Sequence, residues 1–194
     1  MSDYTYTISY WPADEDAAKS PPLDFAAIKK QADTTHYMGV RVEEPPIGFL
    51  STLKSATSPA HAALRDVLPS AAKAGLKTIT VTYTSDPSET LSGKLVEHAF
   101  LYAQEGFDKA AIVEWSKGGA EALKAAGAEV CNAATYGDIL EDPEAVILLI
   151  GWESFPAHRA WTAEGGPGRA LLLDLFAKID RGRLFAAHVP YSKY

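Results

Sequence analysis

The stretch "AVILLIGWESFPAHRAW", Ala145 to Trp161, decides how this chain is read. Its first part is the most apolar run in the sequence, and it is short enough for a strand buried on both faces. The run stops at Trp152-Glu153. Ser154 is then a good N-cap, because its hydroxyl can accept a free first-turn N–H, and "PAH" opens the helix that follows. A weaker echo stands earlier, in "IGFLSTLKSATSPAHAAL", Ile47 to Leu64. His158 follows His61 by 97 residues, and Tyr191 follows Tyr83 by 108. A strand–helix–strand unit is therefore expected twice.

Working outward from that stretch, "KLVEHAFLYA" (Lys94–Ala103) reads as a strand and "GFDKAAIVEWSKGGAEALKAAGA" (Gly106–Ala128) as a helix with one apolar stripe. "EVCNAATYGDI" (Glu129–Ile139) is a strand that ends in an acidic turn. After the Ala145–Glu153 strand and its helix, "GGPG" (Gly165–Gly168) breaks the helix and "RALLLDLFAKI" (Arg169–Ile179) resumes it. "RLFAAHVPY" (Arg183–Tyr191) is a last strand. The order is β-α-β-β-α-β, a ferredoxin-like unit.

The first half follows the same order. It has strands at Tyr4–Trp11, around Pro45-Pro46 and at Lys77–Thr84, a short helix at Leu23–Thr34, and a helix at Pro59–Gly75 bent at Pro69. The expected fold is α+β, with units at 1–84 and 95–194 and a polar linker at 85–94. Each four-stranded sheet has one face covered by its helices. The other face must also be buried, so the two units are expected to press their open faces together into a barrel.

The chain has 194 residues and a net charge of −7, with no run of Lys and Arg, so neither nucleic acid nor an anionic membrane is an expected partner. No apolar run approaches the roughly 20 residues that cross a bilayer. The start, "MSDYTYTISYW", lacks the basic and apolar regions of a secretory leader. With Cys131 as its single cysteine, the chain forms no internal disulfide, and cytoplasm is the expected compartment.

A strand ending in "GWES", then "PAHRAW" opening a helix, then a C-terminal "HV" strand, resembles the dimeric α+β-barrel superfamily. Its antibiotic-biosynthesis-monooxygenase (ABM) branch fits best, and the stress-responsive A/B-barrel branch is close behind. The resemblance covers Leu95 to Tyr191 well, and Tyr4 to Tyr83 through the repeat. It implies a cleft holding small hydrophobic or aromatic molecules. It also implies cofactor-free oxygenation or polyketide-type cyclisation, a non-catalytic binding barrel, or haem binding through His158 or His98. Fold alone does not choose among these.

Among the residues that could carry chemistry, His98 alternates with Val96, Phe100 and Tyr102 on one strand face, opposite Leu95, Glu97, Ala99 and Leu101. An imidazole beside aromatics in an apolar cleft can act as a general base, and the resemblance implies the same role, since A/B-barrel cyclases often place a histidine on this strand. His98 is thus the expected base, with Tyr102 or Tyr136 as hydrogen-bond donor. Phe100, Trp115, Trp152 and Trp161 are the expected walls. His158, at a helix start, is either a polar anchor or a structural corner residue. His188 is a rim or structural residue, because the first and last strands of the unit are taken as its outer pair. No HExxH, Cys/His cluster or phosphate loop is present, so neither metal nor organic cofactor is expected. Self-association into a homodimer is left open.

Overall fold

Strands separated by many residues form one hydrogen-bonded surface, so the edges of the two halves are paired as well as their faces. The structure is a computed structural model that describes residues 4–13, 35–43, 46–53, 68 and 70–193. The expected helix at 23–34 and most of the helix at 59–75, including His61, lie outside the described residues.

The first half contributes β1 (Thr5–Pro12), β2 (His36–Val40), β3 (Ile47–Leu53), α1 (Ser70–Ala74) and β4 (Lys77–Tyr83). The segment read as a polar linker carries a single helical turn, α2 (Ser88–Leu91), whose Thr90 and Leu91 are buried. The second half contributes β5 (Leu95–Leu101), α3 (Lys109–Ala125), β6 (Cys131–Ile139), β7 (Val146–Trp152), α4 (Phe155–Thr162), α5 (Arg169–Phe176), β8 (Phe185–Val189) and the short β9 (Ser192–Lys193). The expected helix at 106–128 begins later, where the Asp108 side chain accepts from the Ala111 N–H.

The nine strands make one sheet in the order β8-β5-β7-β6-β4-β1-β3-β2-β9. The runs β4-β1-β3-β2 and β8-β5-β7-β6 have the same internal order. Antiparallel β4 and β6 join them, with Tyr83 opposite Gly137. At the far end β9 pairs with β2, and the Val42 N–H donates to the His188 carbonyl at 2.9 Å. Because β8 and β9 are nearly continuous in the chain, the sheet curls until its two ends meet.

One face of the sheet lines the inside of this curl. Tyr6, Ile8, Phe49 and Val81 from the first half pack there with Val96, Phe100, Ile147 and Leu149 from the second. The other face of the second half packs under α3, α4 and α5 through Leu101, Ile112, Leu123, Leu148, Ile150 and Trp152. This double burial explains the unbroken apolar run of β7, in which every residue is buried. Fully burying one such side chain is worth roughly 1.5–3 kcal/mol, so β7 anchors both layers.

The strand order corrects one expectation. β5 and β8 are neighbours rather than the outer pair of the unit, and their register sets His188 opposite Glu97.

Candidate functional site

Alternation along β5 sends Glu97 and His98 to opposite faces, and this separates two polar systems. His98 points into the barrel interior and is fully buried. Its ring stacks on Phe49 at 5.1 Å, and its Nε2 lies 2.9 Å from the Tyr191 hydroxyl, which in turn meets Ser51 Oγ at 3.1 Å. Burial drives its pKa down to about 3, so the ring is neutral. It does not line the cleft under the helices.

That cleft, of about 240 Å³, lies between the outer face of β5, β7 and β8 and the helices α3, α4 and α5. Trp115, Trp161, Leu148, Leu172 and Phe176 give it apolar walls. Its volume lies just below the range of roughly 300–1,000 Å³ typical of drug-sized ligands, so it suits a small molecule. "GGPG" shapes one wall. A Cβ on Gly168 would stand 2.1 Å from the Trp161 ring, so only glycine lets the indole lie against the backbone. Gly168→Ala is expected to displace Trp161 and change the shape of the cleft, as read by a shift in tryptophan emission.

Polar groups converge at one end of the cleft. Ser154 caps α4, accepting from the Ala157 N–H at 3.2 Å, and so places His158 in the first turns of the helix. The His158 ring lies 4.6 Å from both the Trp152 and His188 rings, centroid to centroid. Its Nε2 is 3.9 Å from Glu97 Oε2, and its Nδ1 is buried without a hydrogen bond. Glu97 Oε2 accepts from the Trp152 indole N–H at 2.8 Å and lies 3.4 Å from His188 Nε2. His188 Nδ1 pairs with Glu43, which reaches across from the first half and also accepts from the His188 backbone N–H at 3.1 Å. The Arg41 guanidinium holds Glu43 at 3.1 Å.

The charges follow from these contacts. Burial raises the Glu97 carboxyl, but His188, His158 and the Trp152 N–H outweigh it and hold the group below its ordinary range. Glu43 is lowered in the same way, as its bonds to His188 overcome burial. Burial pulls His188 down, yet Glu97 and Glu43 raise it overall. Burial lowers His158, and Glu97 opposes this only in part.

Of the residues expected from sequence, Trp115, Trp152, His158, Trp161 and His188 line this one cleft. His98, Tyr102 and Tyr136 are not brought together. Tyr102 donates to Asp142 at 2.9 Å beneath the Arg183 guanidinium, and with Phe100 it lines a cavity at the barrel end. Tyr136 packs on the outer face of β6. Sequence reasoning missed Glu97 and Glu43. Glu97 left a signal, as a lone carboxylate on the strand face shared with Leu95, Ala99 and Leu101.

No protein-family model matches this sequence, and neither does any curated protein. Solved structures do match. A candidate monooxygenase from Fusobacterium nucleatum aligns over 96% of this chain and 91% of its own, at 8% identity and a TM-score of 0.69. An anthrone oxidase-like protein aligns over 100% and 95%, at 9% identity and a TM-score of 0.68. A candidate monooxygenase from Lactobacillus acidophilus aligns over 97% and 94%, at 7% identity and a TM-score of 0.59. At such identities the likeness is one of fold: this chain shares the α+β architecture of these proteins. No helix among the described residues is long and apolar enough to cross a membrane.

Proposed function

We propose that the outer cleft of the second half binds a small hydrophobic aromatic molecule and removes an acidic proton from it without a cofactor, as a monooxygenase or cyclase of the ABM type. The observation that carries this reading is a tryptophan-walled apolar cleft whose ionisable groups, Glu97, His158 and His188, meet at one end. His158 is the base. With its Nε2–H turned toward Glu97, the unpartnered Nδ1 keeps a lone pair, which a turn of the buried ring would present to the substrate proton. His188, held between Glu43 and Glu97, whose carboxylates raise its pKa, is the group placed to carry positive charge near the anion that forms. The units 1–84 and 95–194 are joined by 85–94, with the site in the second and Glu43 lent by the first.

An anthrone is an apt probe, given the fold shared with an anthrone oxidase-like protein. Loss of one proton from its ring CH₂ gives a delocalised carbanion that dioxygen can oxidise. Overall, anthrone and O₂ give anthraquinone and water. Ring closure of a polyketide-like chain would begin with the same deprotonation.

Anthrone is expected to quench tryptophan fluorescence and to drive O₂ uptake. His158→Gln should keep the quenching and lower turnover by about 10²–10⁴-fold. Wild-type turnover in His158→Gln, or no quenching of the wild type by anthrone, would refute the reading. His98 is the rival base. Loss of turnover in folded His98→Gln, with His158→Gln unaffected, would move the chemistry into the barrel.

A further inference from the structure

The ligand atoms of Glu97, His158 and His188 all lie within 4.8 Å of one another, although 60 and 29 residues separate the three in sequence. We infer that these three side chains form a binding site for one divalent transition-metal ion, and that the ion and the base role of His158 exclude each other. The inference rests on the reading of His158 above for its second clause alone.

Two imidazole nitrogens and one carboxylate oxygen suit zinc, cobalt or iron(II), whereas magnesium and calcium favour all-oxygen sets. An ion bound at about 2.0–2.1 Å to each ligand in tetrahedral geometry needs ligand atoms about 3.4 Å apart. Glu97 Oε2 is 3.4 Å from His188 Nε2 and 3.9 Å from His158 Nε2, and the two imidazole nitrogens, within 4.8 Å of each other, must draw together for one ion to take both.

Two further observations point to a ligand. His188 is 5% exposed, and its buried Nε2 makes no hydrogen bond and faces the Glu97 carboxylate at 3.4 Å. Its other ring nitrogen is held by the Glu43 carboxylate, the outer partner that orients a metal-binding imidazole and raises its basicity. Glu97 is oriented likewise by the Trp152 N–H at 2.8 Å.

Metal on His158 Nε2 would fix the ring proton on Nδ1. The atom that accepts the substrate proton would then carry one already. The ion-bound protein should bind the aromatic molecule and fail to deprotonate it.

The test uses chelator-treated full-length protein titrated with Co²⁺, read by visible absorption, and with Zn²⁺, read by calorimetry. One equivalent per chain is expected, with the intense d–d bands of a four- or five-coordinate ion. Glu97→Gln and His188→Gln should abolish the bands. Glu43→Gln, which leaves all three ligands in place, should weaken Zn²⁺ about 10–100-fold. Cys131→Ser should change nothing. If a ligand variant unfolds, the graded loss in Glu43→Gln, together with a Zn²⁺-dependent rise in wild-type Tm, stands in its place. The site is overturned if wild-type protein takes up no stoichiometric ion, if Cys131→Ser abolishes binding, or if Glu43→Gln and His188→Gln bind as wild type does. Quenching by anthrone, measured on metal-free protein, reports the cleft separately. Failure of that quenching leaves the metal result intact, and the reverse also holds. Zn²⁺ at saturation should stop O₂ uptake, and unchanged uptake would overturn the exclusion between ion and base.

Discussion

Gly137→Val should lower the melting temperature by roughly 10 °C or more. Gly137 sits in β6 opposite Tyr83, where the two halves of the sheet are stitched by three residue pairs. A Cβ at this position would stand 2.5 Å from the Thr82 carbonyl oxygen and 2.9 Å from the Tyr83 Cα. Both atoms are backbone, so no rotamer change relieves the clash and the strands must separate. Separation would strip the hydrogen bonds that flank the pairing, from the Thr84 N–H to the Tyr136 carbonyl and from the Leu140 N–H to the Thr80 carbonyl, each 2.9 Å. It would also open the inner core beside Tyr83 and Ile139, both nearly fully buried. Overpacking in a tight site costs about 1–3 kcal/mol before hydrogen bonds are lost. For a domain of this size each kcal/mol moves the melting temperature by about 2–4 °C. Gly118→Ala is the control: it lies in α3, its Cβ would meet nothing within 4 Å, and it should gain about 0.5–1 kcal/mol. Equal melting temperatures for Gly137→Val and wild type would mean that the seam does not hold the halves together.

The second half was legible because its signals are local. β7 is a continuous apolar run, α4 has its serine cap, and "GGPG" interrupts the helical pattern, and each of these depends on neighbours in sequence. The joining of β4 to β6 and of β2 to β9 was not legible. Edge pairing is made by backbone groups that every residue carries, so side-chain patterns reveal which face is buried and not which edge is paired. The same limit applied to β5 and β8. Alternation placed Glu97 and His98 on opposite faces correctly, but it could not make His188 the neighbour of Glu97.

The site was half legible for a related reason. Large aromatic residues on apolar strands and helix faces mark either core or pocket, and in this chain Trp115, Trp152 and Trp161 line a pocket. A histidine among aromatics on one strand face, as His98 is, carries the sequence pattern of a catalytic base. Its partners turned out to be Phe49, Tyr191 and Ser51, which belong to the barrel interior. Glu97 was passed over although a single carboxylate on an apolar face is the costlier residue to bury, and therefore the more informative one. Glu43 had no local signal, because its role depends on a curl that brings residues 41–43 beside β8.

Trp152→Ala should reduce stability by about 3–5 kcal/mol, the usual range for emptying a buried aromatic site, and should disable the cleft as well. The indole is 1% exposed and ends β7 where the strand hands over to α4. Its ring lies 4.6 Å from His158 and 5.7 Å from Trp161, so removal leaves both without a supporting surface. Its N–H is the donor to Glu97 Oε2 at 2.8 Å, and alanine leaves that largely buried carboxylate with one fewer partner. Trp152→Phe separates the two effects. Phenylalanine keeps most of the volume and loses the donor, so its stability cost should be about 1–3 kcal/mol, that of an orphaned buried acceptor. Its cleft should still take up an aromatic molecule, since the walls remain. The position of Glu97, and with it the tilt of His158 and His188, should be lost in both variants. Chemical denaturation measures the stability terms, and quenching of the remaining tryptophans by anthrone measures uptake. If Trp152→Ala melts with wild type, the indole does not support the sheet-to-helix corner. If Trp152→Phe is as damaging to stability as Trp152→Ala, the corner depends on the indole–carboxylate bond rather than on the bulk of the ring.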